Sequence, residues 1–253
     1  MRNLLGALSL LTRVPVPRGP GAPPGLAASV PWFPVVGALV GLAVAGAYAA
    51  LGLVLPPLPA AAIAVALGSL ITGAFHEDGL ADTADALGGS WSREEALQIM
   101  RDPHHGTFGV LALVWSAVIR VACVATLGPQ AGIAALVGAH ALSRGAAVGV
   151  MGSLAPATAD GMAAAHVSAV TRAQVLGALT AGLVAGAVAL GPWLLLAGPA
   201  AALGAAGVGW FSRRRIGGVT GDVLGAAQQV AEVLVLIVAA AVAASGASLA
   251  WWR

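Results

Sequence analysis

Three aspartates spaced by helical turns are the clearest candidates for chemistry in this sequence. Asp78, Asp82 and Asp85 stand at positions i, i+4 and i+7, so in a helix they lie on one face. Like charges on one helix face repel each other, and the chain contains no lysine to compensate them. The spacing therefore indicates a bound divalent cation that keeps the three carboxylates ionised.

Mg²⁺ is the expected cation, because it takes carboxylate oxygens, keeps several waters and commonly bridges to substrate phosphates. Zinc is disfavoured, since the ligands are mostly oxygen and no HExxH pair is present. The alternative is a solvated acidic face in a loop. The segment from His76 to His105 contains seven of the ten acidic residues of the chain, and this concentration favours a site that binds a phosphate-bearing substrate.

The sequence RDPHHGTFG, from Arg101 to Gly109, opens an apolar stretch. The free N–H groups of a helix N-terminus attract anions, and Arg101, His104 and His105 would add positive charge around a phosphate. Alternatively, these three side chains are only polar groups at the membrane interface.

A second glycine-rich sequence, GGVTGDVLG, runs from Gly217 to Gly225. Asp222 within it is a candidate fourth acid for the metal or phosphate site. Its alternative role is to cap the helix that follows.

The composition excludes an ordinary soluble domain. Hydrophobic residues make up 59% of the 253 residues and charged residues only 9%, against about 25% charge in soluble domains. The formal net charge of +2 is too small for a nucleic-acid-binding protein, which must neutralise several phosphates. The single cysteine, Cys123, excludes a disulfide framework, and we expect it to be a small buried hydrophobic residue.

Seven apolar stretches approach the roughly 20 residues that a membrane-spanning helix needs. They are residues 32–55, 58–75, 107–127, 131–150, 173–190, 192–211 and 226–244. We therefore expect an all-α polytopic transmembrane bundle of about six to seven spans that forms a single integral membrane domain over residues 1–253. Residues 1–31 are expected to be an interfacial N-terminal segment, and residues 76–106 an acidic segment with a helix on the cytoplasmic side.

The distribution of arginine predicts the orientation of this bundle. With seven spans, the loops that carry arginine all fall on one side, and the turns on the opposite side carry no charge. The positive-inside rule makes the arginine side cytoplasmic. Ionisable groups within apolar spans usually face a bundle interior or a polar cavity. Arg144 is a candidate phosphate contact, whereas pairing of Arg120 with Glu232 and an interhelical hydrogen bond for His140 are the structural alternatives.

Five segments of the sequence together resemble the cobalamin synthase family, adenosylcobinamide-GDP ribazoletransferase, in the same order and over nearly the whole chain. They are LTRVPVP at 11–17, FHEDGLADTADAL at 75–87, RDPHHGTFG at 101–109, Ser143-Arg144, and GGVTGDVLG at 217–225. The sequence departs from the family pattern where Gln228 and Gln229 replace an expected Asn-Glu pair, and where His104 replaces a frequent arginine.

The resemblance implies an enzyme of the bacterial plasma membrane, active on the cytoplasmic side, that performs a late step of cobalamin biosynthesis. It would use Mg²⁺ to transfer the adenosylcobinamide phosphate moiety of adenosylcobinamide-GDP to α-ribazole or its 5′-phosphate, forming adenosylcobalamin or its 5′-phosphate and releasing GMP. The implied metal ligands are Asp78, Asp82, Asp85 and Asp222. The implied acid–base residue is Asp85, slightly ahead of His76. The implied substrate-binding residues are Arg13, Arg101, His104, His105, Arg144 and Thr220.

Other functions remain open on the sequence alone. The spacing of the acids is similar to that of CDP-alcohol phosphotransferases, although the full motif of that family is absent. A membrane transporter with an acidic cytoplasmic gate would place charges near the bilayer midplane, and an inert scaffold would tolerate loss of the aspartates. The expected partners are the two substrates and the lipid bilayer, with no nucleic acid. A homo-oligomer or a complex with other enzymes of the pathway is also open.

Overall fold

The computed structural model describes residues 1–17, 25–158 and 167–252, and helices dominate these ranges. In the described residues, extended pairing is confined to one isolated parallel bridge between Pro156 and Val219. The all-α architecture expected from the sequence is confirmed. The helices are α1 (Arg2–Leu11), α2 (Leu26–Ser29), α3 (Phe33–Leu51), α4 (Pro57–Thr72), α5 (Phe75–Gly89), α6 (Arg93–Ile99), α7 (Thr107–Ala125), α8 (Pro129–Ser153), α9 (Arg172–Leu190), α10 (Leu194–Ile216) and α11 (Gly221–Ala244).

Five helical segments of the described chain are long and apolar enough to cross a membrane, or six if the bent pair α4 and α5 forms one broken span. One of the five is the continuous helical segment Arg172–Ile216 of 45 residues. This segment reverses at Gly191, which has a φ of +55°. Along α9, Val175 lies against Gly152 and Leu190 against Gly138, whereas Gly209 of α10 lies back beside Val150. The segment therefore makes two antiparallel passes along α8.

The helices alternate in direction, so that the connections collect at two ends of the bundle. At the first, which we call the charged end, Arg93 donates hydrogen bonds to the carbonyls of Ile216 and Ala157 at 2.8 and 2.6 Å. At the opposite, uncharged end, Tyr48 donates to the carbonyl of Leu127. The apolar turns and the acidic segment thus lie at opposite ends, as the arginine distribution predicts.

Glycines bring α3 and α8 into close contact. A Cβ atom at Gly37 would meet the backbone of His140, and one at Gly41 would meet the backbone of Leu136. Interfaces between membrane helices favour such small residues because they let the backbones approach. The small residues of this chain therefore set the spacing of its core.

A sharp break separates α4 from α5. Gly73 and Ala74 both adopt left-handed backbone conformations, and the two helix axes differ by 91°. The backbone N–H of Arg13 donates to the carbonyl of Ile71 at 2.7 Å, which fastens the N-terminal segment to this break. α5 leaves the apolar bundle here and crosses its charged end. Residues 18–24 of the expected interfacial segment lie outside the described residues.

Adding a side chain at the α3–α8 contact should separate these helices. We expect Gly41→Val to destabilise the protein by about 1–3 kcal/mol, since the backbone of Leu136 leaves no space for it. Gly46→Val on the same helix is the control, because nothing lies within 4 Å of a Cβ at that position. Thermal unfolding in detergent, followed by size-exclusion chromatography, compares the two. Equal melting temperatures for both variants would contradict the packing described.

Candidate active site at the charged end

The acidic helix α5 is held against the start of α11 by glycines. A Cβ atom at Gly79 would collide with the backbone of Asp222, and Gly225 of α11 lies against the backbones of His76 and Gly79. The two helices therefore cross at a distance that only glycine permits. This crossing brings Asp222 to the same region as the aspartates of α5.

Asp78, Asp82 and His105 form the polar face of this site. The imidazole Nδ1 of His105 lies 3.4 Å from a carboxylate oxygen of Asp82, and its Nε2 lies 3.9 Å from one of Asp78. The side chain of Asp78 is 66% exposed and that of Asp82 only 16%. Burial, followed by the neighbouring carboxylates of Asp78 and Asp222, raises the pKa of Asp82 to about 6. The negative charges of these carboxylates thus repel each other, and little positive charge lies nearby to offset the repulsion.

These carboxylates suit an open cation site and do not form a closed cage. In the described part of the chain, no group of three or more His, Cys, Asp or Glu side chains is placed so that the protein alone could hold a metal ion. Mg²⁺ fits this arrangement, because it binds through one or two carboxylates and completes its shell with water and substrate phosphates. Burial and then the neighbouring carboxylates raise the pKa of Asp82, and a bound cation would favour its ionised form against both. Asp78, Asp82 and Asp222 are the residues that would hold it.

Asp85 has a different environment. It is buried, and its two carboxylate oxygens accept hydrogen bonds from the backbone N–H groups of Gly106 at 2.7 Å and Gly109 at 2.9 Å. The sequence predicted these amides, at the start of α7, as an anion site, and the anion they bind here is Asp85 itself. This geometry supports a positioning role, in which Asp85 caps α7 and fixes His105 beside α5.

Three further predicted substrate contacts lie around this face. Arg101 and His104 are exposed, and His104 Nδ1 lies 2.7 Å from Asp102. Hydrogen bonds from His104 lower the pKa of Asp102. Thr220 accepts the N–H of Val223 as the N-cap of α11, so the capping role considered for Asp222 belongs to Thr220.

Thr220 also donates to a carboxylate oxygen of Asp222 at 3.4 Å. The remaining predicted contact, Arg13, lies at the α4–α5 break, where it lines a pocket together with Asp78.

Two of the residues predicted from the sequence lie elsewhere. His76 and Arg144 are buried inside the bundle, next to a cavity that is also lined by His140 and Glu232. Arg144 donates to the carbonyl of His140 at 3.0 Å, and no contact joins it to the acidic face. The structure therefore places both residues in an interior network and does not bring them to the carboxylates.

This interior network confirms the structural alternatives for the buried charges. Arg120 pairs with Glu232 at 3.3 Å, and His140 Nδ1 lies 3.1 Å from Glu232. Gln228 donates to Ser143 at 2.9 Å and to Glu232 at 2.7 Å. Gln228, one of the two glutamines that depart from the family pattern, thus makes hydrogen bonds in the interior of the bundle.

Glu77 is the residue of this region that sequence reasoning missed. Its carboxylate accepts hydrogen bonds from Ser69 of α4 at 2.7 Å and from Arg120 of α7 at 3.3 Å. It therefore joins the acidic helix to α4 and α7. The sequence did contain a signal for this ion pair, because an acid directly follows one apolar span and an arginine lies inside another.

Comparison with known proteins gives matches over nearly the full chain. A family model described as cobalamin-5-phosphate synthase matches residues 3–240. Two similar curated proteins, each named adenosylcobinamide-GDP ribazoletransferase, come from Rhizobium etli (43% identical, covering 91% of this chain and 93% of the relative) and Bradyrhizobium diazoefficiens (42% identical, covering 95% of each). No solved structure matches the chain.

The capping role of Asp85 leads to a specific expectation. Asp85→Asn replaces one acceptor oxygen by an NH₂ group that faces a backbone N–H, so the start of α7 should lose about 1–2 kcal/mol of local stability. Hydrogen–deuterium exchange of the peptide containing residues 105–112 should become faster. Asp78→Asn is the matched control, since its exposed side chain caps no helix. Unchanged exchange in Asp85→Asn would contradict the capping role.

Proposed function

The chain belongs to the cobalamin-5-phosphate synthase family, and we propose that it transfers the adenosylcobinamide phosphate group of adenosylcobinamide-GDP to α-ribazole or its 5′-phosphate, with release of GMP. The observation that carries the proposal is that Asp78 and Asp82 lie beside His105 on one face of α5, and that the backbone of Asp222 lies against Gly79 of the same helix. An uncompensated carboxylate cluster beside an open surface suits a metal-bound diphosphate. The donor and acceptor follow the names of its relatives.

The proposed reaction is a phosphoryl transfer in which one bond forms and one breaks. A ribose hydroxyl oxygen of the acceptor bonds to the phosphorus that carries cobinamide, and the bond from that phosphorus to the oxygen of the GMP phosphate breaks. The hydroxyl proton passes to a base on the protein, and GMP leaves with the electron pair. When bound at Asp78, Asp82 and Asp222, Mg²⁺ would neutralise charge on the diphosphate.

We propose His105 as the group that accepts the proton. Its imidazole is partly exposed between Asp78 and Asp82, and imidazole can take a proton near neutral pH. The assignments of this role to Asp85 and His76 remain predictions. Geometry gives them less support, because the carboxylate of Asp85 is engaged by two amides and His76 faces the interior.

The decisive assay uses purified protein in lipid nanodiscs with adenosylcobinamide-GDP and α-ribazole. GMP release should require Mg²⁺ and stop on addition of EDTA. Asp78→Asn and Asp82→Asn should each reduce kcat by roughly 100-fold or more, since charge stabilisation by a bound metal is worth several kcal/mol. Glu94→Gln, at an exposed position of α6, is the matched control and should keep full activity.

Two results would contradict this proposal. Absence of Mg²⁺-dependent GMP release with both forms of ribazole would exclude the reaction. Full activity in both aspartate variants, with wild-type melting temperatures, would exclude the metal site and leave the reaction itself standing.

We further propose that the protein lies in the plasma membrane with its charged end toward the cytoplasm. Arg93 begins α6, Arg101 follows that helix, and Arg213–Arg215 lie in the last turn of α10, all at this end. Such an excess of arginine is typical of the cytoplasmic side. The substrates would then reach the carboxylates from the cytoplasm.

Cysteine labelling tests this orientation. In a Cys123→Ser background, Gln98→Cys at the charged end and Leu53→Cys at the uncharged end are both exposed positions. A membrane-impermeant maleimide should label Gln98→Cys in inside-out vesicles and Leu53→Cys in right-side-out vesicles. The opposite pattern would contradict the proposed orientation.

A further inference from the structure

A pocket of about 410 Å³ lies between the end of α1 and the α4–α5 break. Its walls include Leu10, Thr12, Arg13, Ala74, Phe75 and Asp78. This volume is in the usual range for small-molecule sites and suits a nucleoside, whereas a corrinoid is several times larger. Because Asp78 belongs both to the pocket and to the acidic face, a ligand in the pocket would lie next to the carboxylates.

The pocket wall offers an aromatic surface, and its hydroxyl groups already donate hydrogen bonds within the protein. Phe75 is 47% exposed. The hydroxyl of Ser9 donates to the carbonyl of Gly6 at 3.0 Å and that of Thr12 to the carbonyl of Leu8 at 2.7 Å.

The hydroxyl of Thr72, the third in the wall, likewise donates within its own helix, to the carbonyl of Gly68 at 3.1 Å. With these hydroxyls engaged, the exposed ring of Phe75 is the surface that the wall offers to a base. It suits the flat, largely apolar ring system of a benzimidazole.

Arg13 provides the positive charge of this pocket. Its backbone is fixed by the hydrogen bond to Ile71, and its side chain lies over Gly73, where a Cβ atom would displace it. Gly73 has a φ of +67°, a conformation that also favours glycine. The guanidinium is exposed and has no hydrogen bond or ion pair to any described residue. It is therefore available to an anionic ligand, and phosphate is the group that arginine binds best.

We propose that this pocket is the acceptor subsite, in which the benzimidazole of α-ribazole lies against Phe75 and Arg13 binds the 5′-phosphate of the phosphorylated acceptor. The inference rests on the proposed function and specifies it further. Arg13 would make the 5′-phosphate form the preferred acceptor. The ribose would extend toward Asp78 and the carboxylates, where its hydroxyl can reach the diphosphate.

Equilibrium binding without the donor substrate tests the subsite separately from the reaction. Protein in nanodiscs is titrated with α-ribazole 5′-phosphate and with α-ribazole. Arg13→Gln should weaken binding of the phosphorylated form by about 10- to 100-fold and leave α-ribazole unchanged. Phe75→Leu should weaken both ligands by about 3- to 10-fold. The matched controls are Arg214→Gln and Trp91→Leu, two exposed positions distant from the pocket in the chain, and neither should change either affinity.

A second measurement, the KM of each substrate, distinguishes the acceptor from the donor. With α-ribazole 5′-phosphate as the acceptor, both variants should raise the acceptor KM and leave the KM of adenosylcobinamide-GDP unchanged. With α-ribazole as the acceptor, only Phe75→Leu should raise the acceptor KM. A rise in the donor KM alone, or equal weakening of both ribazole forms by Arg13→Gln, would overturn it. If Phe75→Leu melts below the wild type, Phe75→Met replaces it. Binding of both ribazole forms as predicted without GMP release would overturn the proposed reaction and leave the subsite standing.

Discussion

Carboxylates of like charge stay close together only when the surrounding structure holds them there, and the charged end of this protein is organised around that constraint. Asp82 is largely buried beside Asp78 and Asp222, and its pKa of about 6 reflects the cost of this placement. In the protein without a bound cation, such an arrangement lowers the stability of the folded state. A bound cation would relieve this repulsion, and the relief would strengthen the binding of the cation together with a diphosphate.

Three contacts fix the acidic helix in this arrangement, and each has a different physical basis. Gly79 allows α5 to touch the backbone of Asp222, Asp85 is anchored by two amides of α7, and Glu77 is paired with Arg120 inside the bundle. The last contact buries charge, which is costly in an apolar interior unless the partners are hydrogen-bonded. These contacts restrict the rotation of α5 about its own axis. The contacts on the buried face of the helix therefore fix the direction of its exposed face.

Much of this architecture could be predicted from the sequence, because apolar length and the distribution of arginine report directly on spans and sides. The stretch 58–75 was predicted as one of the spans, and in the structure its helix ends at Thr72, before a break at Gly73 and Ala74. The pairing of Arg120 with Glu232 was among the alternatives considered, but the partners of the site residues could not be predicted, since a pattern on one helix does not identify which atoms face it. Asp85 illustrates this limit, because its position in the acidic triplet is regular, yet its bonds go to the α7 amides. Arg144 illustrates it as well, since its place near a span end gave no sign of its bond to His140.

Metal binding at the carboxylates is the central claim, and electron paramagnetic resonance with Mn²⁺ in place of Mg²⁺ tests it most directly. The protein in nanodiscs is titrated with Mn²⁺ in the presence of adenosylcobinamide-GDP. A metal site at these carboxylates should give saturable Mn²⁺ binding with hyperfine coupling to phosphorus, and both should be lost when Asp78 and Asp82 are replaced by asparagine. Unchanged binding and phosphorus coupling in that double variant would contradict it.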